Sequence, residues 1–147
     1  MLAQIHRLQL QTANAPQFLD ITPRVQEFVS ESRILNGCVV IYSRHTTGAI
    51  RVNENEPLLI KDMERFLERI ASRDDYYHHN DLSIRTVNVN DDEYPNGHAH
   101  CQHLLLGASE TIPIVNGVLE MGQWQSIFFV ELDRPRPREV ILQVLGE

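Results

Sequence analysis

A chain of 147 residues is long enough for one domain to bury a core without disulfides or a structural metal. Its 20 acidic and 13 basic side chains leave a formal charge of −7, which argues against sequence-independent nucleic-acid binding, since that needs a cationic face to displace counterions. The N-terminus lacks the apolar block of a signal peptide and no stretch approaches the ~20 apolar residues of a membrane span, so a soluble, cytoplasmic protein with no membrane partner is expected.

The first expected element is a strand over 3–11, "AQIHRLQLQ", where Ile5, Leu8 and Leu10 alternate imperfectly with polar residues. The period then changes. In "FLDITPRVQEFVSES" Thr22 is placed to cap a helix, Pro23 fits its first turn, and Val25, Phe28 and Val29 share one side. Asn36 and Gly37 stop it. "CVVIYS" and "AIRVNE" are short β-branched runs with "RHTTG" turning between them. A second helix begins near Pro57, with Leu58, Leu59, Met63, Phe66, Leu67 and Ile70 as its apolar stripe.

From Ser72 to Pro95 the chain is polar and aromatic with little periodicity, which in a compact domain marks a functional or mobile segment. Asn116-Gly117 between "TIPIV" and "VLEM" predicts a hairpin, because both residues tolerate positive φ. "QWQSIFFVEL" reads as a long strand. Pro135 and Pro137 make "RPRPR" a rigid basic turn, and "EVILQVL" is the last strand. The pattern is that of a single α+β domain over residues 1–147, mainly antiparallel, with two or three helices.

Three of the chain's seven histidines and one of its two cysteines fall within "NGHAHCQH", residues 96–103. On a helix His100 and His103 share a face; on a strand His98 and His100 do. Either way only two converge, and a catalytic zinc usually takes three protein ligands. The other candidate imidazoles are His45, His78 and His79, whereas His6 and His103 are expected to be structural and Cys101 a small buried thiol.

"HTTGAIRVNENEP" adds a histidine, two hydroxyls and a glycine in one turn, a composition suited to holding an anion or equally to an ordinary Thr/Gly turn. Asn55 and Glu56 read as helix-capping groups, while Asn53 and Glu54 stay open between structure and site. "DDEYP" at 91–95 reads as a solvated acidic loop. Trp124 is expected in the core or at a subunit contact, with Gln125 facing the other way as a pocket candidate.

Taken together, "HTTGAIRVNENEP", "YYHHND", "NGHAH" followed by "LLGAS", "TIPIVNGVLEMGQWQSIFFVELD" and "PRPREVILQVLGE", in this order, resemble the YjbQ-like family from about residue 40 to the C-terminus. The resemblance implies an antiparallel β-sandwich that assembles as a homotrimer with a pocket near the subunit contacts. It also implies a weak thiamine-phosphate synthase activity, in which hydroxymethylpyrimidine diphosphate and thiazole phosphate join with loss of pyrophosphate.

Matching positions are His45, His79, His100, Asn53, Glu54, Asp62, Ser109, Gln125 and Arg138, while Gly48 stands where Ala is usual and Gln123 where Thr is usual. On this reading His45, Glu54 and His100 are catalytic. Thr46, Thr47, Asn53, Ser109, Gln125 and Arg138 bind a small anionic or phosphorylated metabolite. His45, His79 and His100 are candidate ligands for a divalent metal, zinc or magnesium, and no organic cofactor is expected. The same residues would serve a non-catalytic metabolite-binding or metal-binding trimer, or a metal-dependent hydrolase.

Overall fold

The computed structural model describes residues 1–147. Strands β1 (Leu2–Gln11), β3 (Gly37–Ser43), β5 (Ser109–Val115), β6 (Val118–Leu119) and β8 (Pro137–Gly146) form one sheet in the order β1-β8-β3-β5-β6. Strands β2 (Gln17–Asp20), β4 (Gly48–Glu54) and β7 (Gln125–Glu131) form a second, in the order β2-β7-β4. Every pairing is antiparallel. The helices are α1 (Thr22–Ser32), α2 (Pro57–Ile70) and α3 (Gly97–Leu106), with one short 3-10 turn at His78–Asn80.

The larger sheet turns Leu8, Val39, Ile41, Val140, Leu142 and Val144 inward, where they meet Ile50, Ile127 and Phe129 of the smaller sheet and Val25, Phe28 and Val29 of α1. A second cluster joins Ala49, Phe128 and Val130 on the small sheet to Leu67 of α2 and Ala99 of α3. The small sheet is therefore covered on both faces. For that reason β7 shows no alternation and is buried continuously from Ile127 to Glu131. β8, covered on one face and paired on both edges, alternates instead.

Most expected elements are in place, and the Asn116-Gly117 turn has both residues at positive φ, 52° and 76°. Two local expectations are corrected, for Thr22 and Cys101. Thr22 does not cap α1, because its hydroxyl oxygen accepts the N–H of Ile127; Asp20 accepts the Thr22 N–H instead. "RHTTG" turns between β3 and β4 as expected, and in doing so carries the chain from one sheet to the other. Trp124, expected in the core or at a subunit contact, lies before β7 and is 66% exposed in the single chain, which leaves the second of these. Cys101 is exposed on α3, and both cysteines are free thiols. Glu56, as expected, caps α2 by accepting the N–H groups of Leu58 and Leu59.

The α2 stripe is only partly covered. Leu67 is buried, but Leu58, Phe66 and Ile70 remain 67%, 59% and 40% exposed within a single chain. No helix is long and apolar enough to cross a membrane.

Gly48 has a steric reason. A Cβ there would lie 2.4 Å from Cζ of the fully buried Phe129 ring. Gly48→Ala is expected to destabilise the chain by roughly 1–3 kcal/mol through overpacking, measured as a lower urea midpoint at unchanged m-value. Pairing it with Phe129→Leu, which shortens that ring, should recover part of the loss.

Candidate functional site

Where the 44–47 crossover, the 134–138 turn, the 78–96 segment and the first turn of α3 meet, they enclose a cavity of about 470 Å³. Its wall is Arg44, His45, Thr46, Thr47, His79, Arg85, Asn88, Asn90, Glu93, Asn96, His100, Arg136 and Arg138, with no hydrophobic residue. Four arginines against one glutamate give a cationic hollow in a chain of charge −7. A rigid, half-buried cationic cleft concentrates anions despite the opposite net charge.

His45 is fixed from both sides. Ser43 Oγ accepts its backbone N–H and donates to the carbonyl of Gly48. Nε2 of His45 accepts the N–H of Glu139 at 3.0 Å, which leaves its ring proton on Nδ1. Burial, and then Arg138 and Arg136, hold its pKa below the usual imidazole value, so the ring is neutral near pH 7.

Opposite imidazoles come from α3 and the segment before it. Asn80 Oδ1 accepts the N–H groups of Asn96 and Gly97 at 3.1 and 2.9 Å, supplying the cap that the Asn96 side chain does not. The His79 and His100 rings meet edge to face with centroids 4.6 Å apart. Burial and the neighbouring His79 lower the pKa of His100. The helical alternative for "HAHCQH" thus holds, but the partner of His100 is His79, 21 positions away, and His103 lies against the backbone of Gly48 and His45.

Arg138 is not a free phosphate fork. It is 3% exposed, its Nε donates to Glu131 Oε1 at 2.8 Å, and its Nη2 donates to the second oxygen of the same carboxylate. Nη2 also donates to Thr47 Oγ1 at 3.0 Å, so Thr47 too is buried in this network. Asp133, fully buried, accepts from Arg134, Arg136 and Asn96. The cationic side chains with most N–H groups unengaged are Arg44, 59% exposed and 3.6 Å from Glu139, and Arg136, 40% exposed with one contact to Asp133.

Neither arginine was a candidate from sequence, nor were Arg85, Asn88, Asn90 and Asn96, and Glu93 was read as part of a solvated acidic loop. Glu93 is not solvated but braced by Arg85 at 2.9 Å. Conversely, Asn53, Glu54, Ser109 and Gln125 do not line the cavity. Glu54 and Gln125 are register partners at one end of β4 and β7, and Ser109 opens β5 opposite Tyr42. No three His, Cys, Asp or Glu side chains of the chain are grouped as a metal site would need; His45, His79 and His100 line the same cavity.

His98 faces away from the cavity, 2% exposed, with both ring nitrogens unpartnered. Burial and Arg73 depress its pKa below 6.5. A histidine with a lowered folded pKa contributes stability above the unfolded value that is lost as pH falls through the folded one. Chemical unfolding between pH 7 and 5 should show declining stability, and His98→Met should flatten part of that slope; an unchanged slope would exclude His98 as a source.

The family described as UPF0047 protein, YjbQ-like, matches residues 6–147. A UPF0047 protein of Methanothermobacter thermautotrophicus is 39% identical over 95% of this chain and 90% of its own length. YugU of Bacillus subtilis is 34% identical over 95% and 97%. A crystal structure of a hypothetical protein from Aeropyrum pernix superposes with a TM-score of 0.86 at 38% identity, covering 98% and 99%. A YbjQ-like protein of unknown function from Sulfolobus solfataricus gives 0.82 at 34%, covering 99% and 100%. Matched along nearly its whole length by sequence and by structure, the chain belongs to the YjbQ-like UPF0047 family.

Proposed function

We propose that the chain is an enzyme acting on small phosphorylated metabolites, with thiamine-phosphate synthase-type condensation as the reaction to assay first. The observation that carries this reading is the cavity itself: polar on every side, cationic, and supplied with two arginines whose donors are largely unengaged. Arg44 and Arg136 hold phosphate oxygens through charge-assisted hydrogen bonds. His79 and His100 stand at the other wall as proton-handling groups.

For the condensation, the bond between the pyrimidine methylene carbon and the diphosphate oxygen breaks, and pyrophosphate leaves with the electron pair. The thiazole nitrogen lone pair forms the new bond to that carbon. The chain contributes alignment of the two reactants and stabilisation of charge on the departing pyrophosphate by Arg44, Arg136 and an imidazole N–H. The only acidic residue on the wall, Glu93, is held by Arg85. Magnesium would therefore arrive with the diphosphate rather than on a protein carboxylate.

Asn53, Glu54 and Gln125 lie at the end of the β4–β7 pair next to Trp124, and in the expected homotrimer they would reach ligand from a neighbouring copy. The exposed Leu58, Phe66 and Ile70 of α2 support association, since burying such side chains is favourable. Light scattering should return three times the 17.0 kDa of one chain; a monomer at micromolar concentration would remove the trimer from this reading.

The functional test pairs binding with turnover. Pyrophosphate should raise the melting temperature, and Arg44→Ala with Arg136→Ala should weaken that binding at least tenfold. His100→Ala should lower product formation by ~10²–10⁴ with the fold intact, the range for loss of an acid/base group. Binding without multiple-turnover product would favour a non-catalytic metabolite-binding protein. Near-stoichiometric zinc after dialysis would favour metal-assisted hydrolysis, with a third ligand beyond the His79–His100 pair.

A further inference from the structure

The segment from Tyr77 to Asn96 has one 3-10 turn and no strand, yet it supplies half of the cavity wall. With no strand ladder to order it, the segment is held by turns and side-chain hydrogen bonds, and among its side chains Arg85 makes the largest number. Arg85 donates from Nε to the carbonyl of Val87 at 3.3 Å, and from Nη1 to the carbonyl of His79 at 3.0 Å and Glu93 Oε2 at 2.9 Å. From Nη2 it donates to the carbonyl of Asn88 and to Glu93 Oε1 at 3.3 Å. A guanidinium has five N–H groups. All five are engaged within residues 79–93, so Arg85 lines the cavity without a donor left for a ligand.

The carbonyl of His79 is anchored one residue before Asn80, whose side chain caps α3, and His79 itself is the ring against His100. Asn88 has positive φ, 53°, a conformation that costs energy for a residue with a side chain, and its carbonyl is held by Arg85. The far arm of the brace, Glu93, accepts the N–H of Asn90 at 3.0 Å. Arg85 and Glu93 are 13% and 15% exposed, enough covered for the pair to be little screened by solvent.

We propose that Arg85 is a positioning residue: with Glu93 it holds the 79–93 segment as a rigid wall and sets His79 against His100, touching no ligand itself. The proposal rests on the phosphorylated-metabolite reading only for the consequence of that placement, not for the placement. Lysine cannot replace the fork, because a single ammonium presents three donors without the planar geometry that reaches both carboxylate oxygens and three carbonyls.

The test is histidine side-chain NMR on the intact protein, with pyrophosphate as the probe. In Arg85→Lys and Arg85→Gln the His79 and His100 side-chain resonances should shift, while those of His6 and His98 stay in place. Pyrophosphate binding should weaken at least tenfold in both variants. Glu93→Gln, which leaves the backbone carbonyl contacts available, serves if the arginine variants do not fold; it should move the same two rings and speed hydrogen exchange at the Asn90 amide. Unmoved His79 and His100 resonances in a folded variant would overturn the proposal. Shifted rings in a protein whose wild type binds no pyrophosphate would uphold the positioning role and overturn the ligand reading alone.

Discussion

The ion pair between Arg138 and Glu131 is the contact on which the rest depends. Arg138 comes from the start of β8 in the larger sheet, Glu131 from the end of β7 in the smaller, and both side chains are essentially sealed from solvent. Two charges taken out of water are costly, and only good geometry with further hydrogen bonds offsets that cost. Here both carboxylate oxygens are engaged by the guanidinium, Thr12 donates a hydroxyl to one and the Asp133 N–H goes to the other. Thr47 completes the arrangement, so the ends of β1, β7 and β8 and the crossover between sheets are tied at one point.

That point lies at the floor of the cavity. Thr47 follows His45 and Thr46, and Arg136 leaves the same turn as Arg138, so the network that joins the two sheets also fixes the first wall of the site. The second wall is placed by different means. Ala99 of α3 packs on Phe128 and Val130 through an apolar contact, and Gln102 donates to the carbonyls of Leu67 and Ala71 at the end of α2. His100, one residue from Ala99, is thereby turned toward the cavity as a by-product of packing. A rigid scaffold thus presents groups carried mostly on irregular segments, which is the usual division between fold and site.

Sequence reading was most secure where one physical rule acted alone. The Asn116-Gly117 hairpin follows from positive φ, the Glu56 cap from the free N–H groups of α2, and α1 from the spacing of Val25, Phe28 and Val29. It was least secure where long-range partners decide. Thr22 had the right chemistry for a cap, but Ile127 N–H competes for its oxygen. Cys101 looked buried beside apolar neighbours, yet the face of α3 that packs is the one with Ala99 and Gln102. Arg138 looked like a ligand fork because nothing in "RPRPR" tells that Glu131 lies across the sheets.

By itself the sequence determined the element types, the antiparallel α+β class and the family. These are local or pattern properties: propensity, periodicity, turn chemistry and motif order. Only the tertiary structure decided which charges are engaged and which remain available. It tied Arg138 to Glu131 and Thr47, left most N–H groups of Arg44 and Arg136 without a partner, and paired Arg85 with Glu93 in an otherwise irregular wall. The physical reason is that a charged side chain's role depends on its partners, and here some partners are far apart in the chain, Arg7 and Glu139 by 132 positions.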